Sequence, residues 1–176
     1  MMMFPYTRCS LQVNVAIGVA PEDSDQMQPF FQRLEAVNKL ARRAEGFVAM
    51  LSDIEDGSVS SGGGGCEYFP EGYYVNISLW RDVESFKKFT YTGAHAFVLK
   101  RKSEWFVEWD EDLYGPKQCM WWVPKKVRGE NGEEDTSGIF SMPSPREAAD
   151  RLQSLRENGP SQDAFTLSHL YPPPSQ

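Results

Sequence analysis

Tyr73-Tyr74-Val75-Asn76-Ile77-Ser78-Leu79-Trp80 is the stretch that decides the fold. Its side chains alternate with a period of two, as a strand with two different faces requires. Tyr73, Val75, Ile77 and Leu79 form a large apolar set. Tyr74, Asn76, Ser78 and Trp80 mix aromatic rings with an amide and a hydroxyl. The first set suits a face covered by helices, and the second suits the opposite, open face.

The same alternation recurs upstream. From Leu11 to Val19, Leu11, Val13, Val15 and Ile17 alternate with Gln12, Asn14, Ala16 and Gly18, which predicts a first strand. Pro21-Glu22-Asp23-Ser24-Asp25 supplies a turn with capping residues. Phe30, Phe31, Leu34, Val37, Leu40 and Ala41 then follow helical spacing up to Gly46. Phe47 to Leu51 reads as a second strand. Downstream, apolar residues from Val83 to about Trp109 predict a second helix, broken near Gly93. Lys117 to Val123, stopped by Pro124, is a fourth strand. The order β-α-β-β-α-β defines an α+β, ferredoxin-like sheet with two helices on one face.

Residues 1–10 read as an N-terminal extension and 11–127 as the ferredoxin-like domain. Within it, residues 53–72 form a loop whose Gly62-Gly63-Gly64-Gly65 run has few contacts to offset its ordering entropy. As a phosphate cradle that loop is poor, because it lacks the Lys-Ser/Thr of a P-loop and opens no helix. Residues 128–143 form a polar, acidic loop. A C-terminal helix from Pro145 to Asn158, with Ser144-Pro145 as its start and Gly159-Pro160 as its stop, opens a tail (residues 144–176) that braces the same domain. Phe165-Thr166-Leu167 adds a short strand.

On the open face, Tyr74, Trp80 and either Trp121 or Trp122 are costly to leave wet, and Asn14 and Asn76 lie among them. This mixture suits a ligand cavity for a small hydrophobic or aromatic molecule. A second copy of the sheet could cover it, closing a barrel in a homodimer. The alternative is that the amides bond to loop backbone and the aromatics are core under the C-terminal segment. The set as a whole favours the pocket.

The net charge of −7 argues against a nucleic-acid partner, which needs clustered Lys and Arg to displace counterions. Lys87, Lys88, Lys100, Arg101 and Lys102 read as a solvated helix face. Cys9, Cys66 and Cys119 match no zinc spacing, and such a scattered, odd set fits a reducing cytoplasm. The start carries no signal-length apolar run and no later segment is long enough to span a bilayer, so a cytoplasmic protein without a membrane partner is expected. No metal site is expected.

One of the chain's two histidines, His95, follows the Thr92-Gly93 break and so stands at the start of a new helix. Helix amino-termini disfavour imidazolium, which leaves a neutral ring able to accept a proton. As a base, His95 would take a phenolic or carbonyl-adjacent proton and return it. As a structural residue, it would bond a backbone carbonyl or Glu104 and lock the break. Arg101 and Glu104, three apart, read as an exposed ion pair.

The first strand, Asn38, Gly46-Phe47, Tyr74-Val75-Asn76-Ile77-Ser78-Leu79-Trp80, Ala94-His95, Glu104-Trp105-Phe106 and Trp121-Trp122-Val123-Pro124 together resemble the family called domain of unknown function 3291, over about Leu11 to Phe165. That family in turn resembles the dimeric α+β barrel superfamily of antibiotic-biosynthesis monooxygenases and polyketide cyclases. The resemblance implies a ferredoxin-like fold, a dimeric barrel and a small-molecule cavity; it bears less on the reaction, because one fold hosts many chemistries. In olivetolic acid cyclase of that superfamily, a tyrosine six residues before an Ala-His pair shares the acid/base work with the histidine. His95 behind Ala94 matches, but Phe89 stands at the tyrosine's place, and Tyr91 is the nearby phenol.

The expected function is therefore that of an isomerase or cyclase needing no cofactor, acting on an aromatic or polyketide-like molecule in secondary metabolism. His95 and Tyr91 are its expected catalytic residues. Asn14, Tyr74, Asn76, Trp80, Trp121 and Trp122 are expected to bind substrate. The alternatives are a cofactor-free monooxygenase and a non-catalytic binding or accessory protein.

Overall fold

The computed structural model describes residues 8–51, 67–124 and 142–174. Most of the glycine-run loop with Cys66, and nearly all of the acidic loop, lie outside the described residues. The strands are β1 (Arg8–Ile17), β2 (Phe47–Met50), β3 (Tyr73–Trp80) and β4 (Gln118–Pro124). They form one antiparallel sheet in the order β2-β3-β1-β4. With α1 (Gln28–Ala41) between β1 and β2, and α2 (Val83–Tyr91) and α3 (Gly93–Lys100) between β3 and β4, this is the ferredoxin-like arrangement. α4 (Glu111–Tyr114) and α5 (Pro145–Asn158) complete the described helices, and no helix among the described residues is long and apolar enough to cross a membrane.

Helix two is shorter than its apolar spacing predicts. α2 ends at Tyr91, where Thr92 is extended (φ −126°, ψ 162°) and Gly93 takes a positive φ of 59°. α3 ends at Lys100, and a 3-10 turn (Lys102–Glu104) follows. From Trp105 the chain leaves helical geometry because β1 captures its backbone: Val19 N–H donates to Trp105 O at 3.0 Å, and Val107 N–H donates to Ile17 O at 2.8 Å. A new strand partner outweighs the helical pattern of the side chains. β1 also starts three residues earlier than its alternation predicts, at Arg8.

Register sorts the side chains into two faces. Leu11 lies opposite Leu79 and Trp121, Val13 opposite Ile77 and Cys119, and Val15 opposite Val75. On the other face Ser10 lies opposite Trp80 and Trp122, Gln12 opposite Ser78 and Met120, and Asn14 opposite Asn76 and Gln118. Alternation foretold both sets. Which helices cover each set differs from expectation. The aliphatic face is buried by α5, whose Ala148, Leu152 and Leu155 join Leu11, Val13, Ile77, Leu79 and Trp121 in one core. α5 is held there by ends the sequence specifies: Ser144 Oγ accepts from Glu147 N–H at 3.1 Å, and Gly159 closes it at φ +76°. Arg151 lies over the Trp121 ring at 5.1 Å.

The helices α1 and α2 instead cover the face of amides and aromatics. Phe30 and Phe31 of α1 meet Tyr74, each with ring centroids 6.1 Å apart. Phe86 and Phe89 of α2 meet Trp80 at 5.9 and 5.2 Å. The expected open face is thus the floor beneath the two helices. Period-two alternation separates the faces but carries no information about which helix lies over which.

The free edge of β4 is closed by the tail. Met120 and Phe165 exchange both backbone hydrogen bonds, at 2.7 and 2.9 Å, and Trp122 Nε1–H donates to Tyr171 O at 2.9 Å.

Candidate functional site

α1 carries Phe30, Phe31, Leu34 and Val37 at core-facing spacing, yet all four are only half-buried, and only Ala41 at its C-terminal end is buried. α3, although apolar, buries no residue. Beneath these helices Asn14 is half-buried and Asn76 is exposed, even though both lie in the middle of the two central strands. An exposed amide at mid-sheet beside loosely seated helices makes the space over Asn14 and Asn76 the candidate cleft.

At one end the cleft is walled by Tyr74, which packs edge-on against Phe30 and Phe106. Burial, and then the charge of Glu22, push the Tyr74 phenol above its ordinary range, so it stays protonated at neutral pH. Gly18 makes room for this ring, since a Cβ there would lie 2.6 Å from Tyr74 Cε2 and 3.3 Å from its hydroxyl oxygen.

At the other end, buried polar groups connect to the aromatic wall. Gln12, 3% exposed, donates from Nε2 to Asn76 Oδ1 and to Ser78 Oγ, both at 2.7 Å. Trp80 Nε1–H donates to the same Ser78 Oγ at 3.0 Å. The Trp80 ring stacks on Phe89 at 5.2 Å, and Phe89 lies 5.0 Å from the His95 imidazole.

His95 is half-buried, and its Nδ1 lies 2.9 Å from Thr90 O. A carbonyl oxygen can only accept, so Nδ1 carries the proton and Nε2 the lone pair. Burial holds the imidazole below its usual pKa, opposed by the Thr90 carbonyl. Burial, rather than the helix start invoked from the sequence, is thus the main influence that favours a neutral ring. The cap at Thr92 is not aimed at α3 either, because Thr92 Oγ1 donates back to Lys88 O at 2.6 Å.

Of the expected site residues, Asn14, Tyr74 and Asn76 lie on the helix-covered face at the cleft, Trp80 lies on that face but is 1% exposed, in the core with Phe86, and Trp122 continues the face beneath the tail. Trp121 does not belong with them: it is fully buried on the aliphatic face under α5, because β4 register sets it opposite Leu11. Tyr91, the expected acid partner, ends α2 with 56% of its surface exposed, outside the aromatic wall that Phe89 completes. Gln12 escaped the sequence reading. An amide amid Leu11, Val13 and Val15 reads as an exposed alternation partner, and only register with Asn76 and Ser78 reveals its role. Arg101 and Glu104 form the expected pair, bidentate at 2.7 Å, with Arg101 also 5.4 Å over Trp105. Among the described residues no group of three or more His, Cys, Asp or Glu side chains could hold a metal ion.

A ferredoxin-like sheet with an amide-floored, aromatic-walled cleft defines the class. The chain belongs to the family described as Domain of unknown function (DUF3291), which matches residues 11–176. No curated protein matches it in sequence. Among solved structures it is similar to SnoaB, a cofactor-independent oxygenase from Streptomyces nogalater, at 14% identity and a TM-score of 0.36, over 72% of this chain and 99% of that one.

Proposed function

We propose that the protein is an enzyme that moves a proton on a flat, aromatic or polyketide-like small molecule bound in the cleft between the sheet and α1–α3, with His95 Nε2 as the base. The observation that carries this reading is the bond from His95 Nδ1–H to Thr90 O, which leaves Nε2 as the basic nitrogen of a ring kept neutral by burial. Phe89, backed by the buried Trp80, and Tyr74 supply aromatic walls for a planar ligand, and Asn14 and Asn76 supply polar contacts on the floor. Isomerisation or ring closure through a carbon-bound acidic proton is the reaction class such a base serves, with no resident cofactor in the proposed chemistry.

Propiophenone, an aryl ketone with a weakly acidic α-proton, is a suitable probe. In D2O near neutral pH, the protein is expected to accelerate deuteration of the α-carbon, read by mass spectrometry, and His95→Gln is expected to abolish the acceleration. Equal rates for the two proteins would overturn the role of His95. Oxygen uptake during turnover would instead mark the monooxygenase alternative.

A further inference from the structure

We infer that Gln12 is a positioning residue that fixes which end of the Asn76 amide meets a ligand, so that the cleft selects a molecule presenting a carbonyl oxygen. The inference rests on the cleft being the ligand site proposed above, and it adds a residue and a polarity to it.

Trp80 Nε1–H can only donate, so it occupies one lone pair of Ser78 Oγ. Two orientations of the Gln12 amide are then open. In the first, Nε2 donates to Asn76 Oδ1 and Ser78 Oγ, which leaves the acceptor Gln12 Oε1 and the hydroxyl proton of the buried Ser78 without a partner. In the reverse, Oε1 accepts from Asn76 and Ser78, and both Nε2 protons lose their partners in a residue 3% exposed. Each orientation strands two groups, but the first replaces one stranded N–H by an under-satisfied carbonyl oxygen, which buried sites tolerate better, so the first orientation is favoured.

The consequence reaches the cleft. With Oδ1 of Asn76 turned toward Gln12, its Nδ2–H2 is the end left for the exposed side. An NH2 group can only donate, so it favours a carbonyl oxygen on the ligand and is unsatisfied by a hydrocarbon or by a donor. Ser78 and Trp80 hold Gln12, and through Trp80 and Phe89 the same chain of contacts continues to His95.

Propiophenone and n-propylbenzene, matched in shape but not in the carbonyl, test this by titration followed on protein NMR resonances. The wild-type protein is expected to prefer the ketone by about tenfold in Kd, with the Asn76 side-chain NH2 signals shifting on binding. Asn76→Asp keeps an oxygen toward Gln12 and replaces the donor facing the cleft, so the preference falls to about twofold or less. Gln12→Met, with Asn76 intact but untethered, loses most of it. His95→Gln keeps the preference whole, which separates this inference from the identity of the base: lost catalysis with retained preference, or the reverse, tells which claim fails. A second reading needs no variant. In the wild-type protein, Gln12 Nε2 protons exchange slowly with solvent and Asn76 Nδ2 protons exchange fast. The reverse order of exchange, an unchanged preference in folded Gln12→Met, or no binding of either compound to the wild-type protein would each overturn the proposal.

Discussion

His95 and Thr90 are joined across the break between α2 and α3, with imidazole Nδ1 2.9 Å from the carbonyl oxygen. This one contact both locks the junction and assigns the lone pair to Nε2, so the structural and catalytic readings of the histidine are the same geometry. Tyr91, the residue after Thr90, lies mostly in solvent.

The two residues should therefore behave differently when replaced. Tyr91→Phe is expected to leave α-proton exchange on propiophenone within about twofold, and His95→Gln to lower it by about a hundredfold or more. Rates by mass spectrometry on proteins of equal folded fraction make the comparison.

Burial of the neutral His95 ring also sets a pH dependence of stability. Its folded pKa lies below the unfolded value of about 6.5. Between the two values the unfolded chain binds more protons, so falling pH favours unfolding. The contribution is complete above the unfolded value and is lost as pH falls through the folded one. Urea midpoints of the wild-type protein should fall between pH 7.5 and pH 5, more steeply than those of His95→Gln.

Gly18 and Tyr74 form a tight pair at the far end of the cleft. Gly18→Ala would press a methyl into the Tyr74 ring, which Phe30, Phe31 and Phe106 hold in place. A loss of about 1–3 kcal/mol is expected by chemical denaturation. Adding Tyr74→Ala removes the clash, so the double variant is expected to be less unstable than the sum of the two single changes.

The fold was legible in side-chain period and helix punctuation. Leu11 to Ile17 and Tyr73 to Trp80 give their strands by alternation, and Ser144-Pro145 with Gly159 gives α5 at both ends. Three features were not legible. The extended backbone from Trp105 to Val107 depends on bonds to Ile17 and Val19, residues far away in sequence. The covering of the aliphatic face by α5, and of the amide face by α1 and α2, depends on packing that alternation does not encode. Gln12 gains its place only from register with Asn76 and Ser78. At the site, a downward pull on the His95 pKa was expected from the helix start, but its main cause, burial, is a tertiary effect that the sequence does not encode.

The cover that α5 provides gives a stability prediction. Leu152, 1% exposed, faces the sheet, and Leu152→Ala is expected to cost about 2–5 kcal/mol. Leu113, an exposed leucine of α4, serves as the control, with Leu113→Ala changing stability by about 0.5 kcal/mol or less. Denaturant titrations of the two variants check the contrast.

The proposed catalysis depends on His95 being neutral with its lone pair on Nε2. Nitrogen-15 NMR of the histidine ring over a pH titration measures this directly. A protonated Nδ1, an unprotonated Nε2 at pH 7, and a titration midpoint below that of a free histidine side chain are expected. A ring protonated on Nε2 with its lone pair on Nδ1, or a midpoint above the free value, would contradict it.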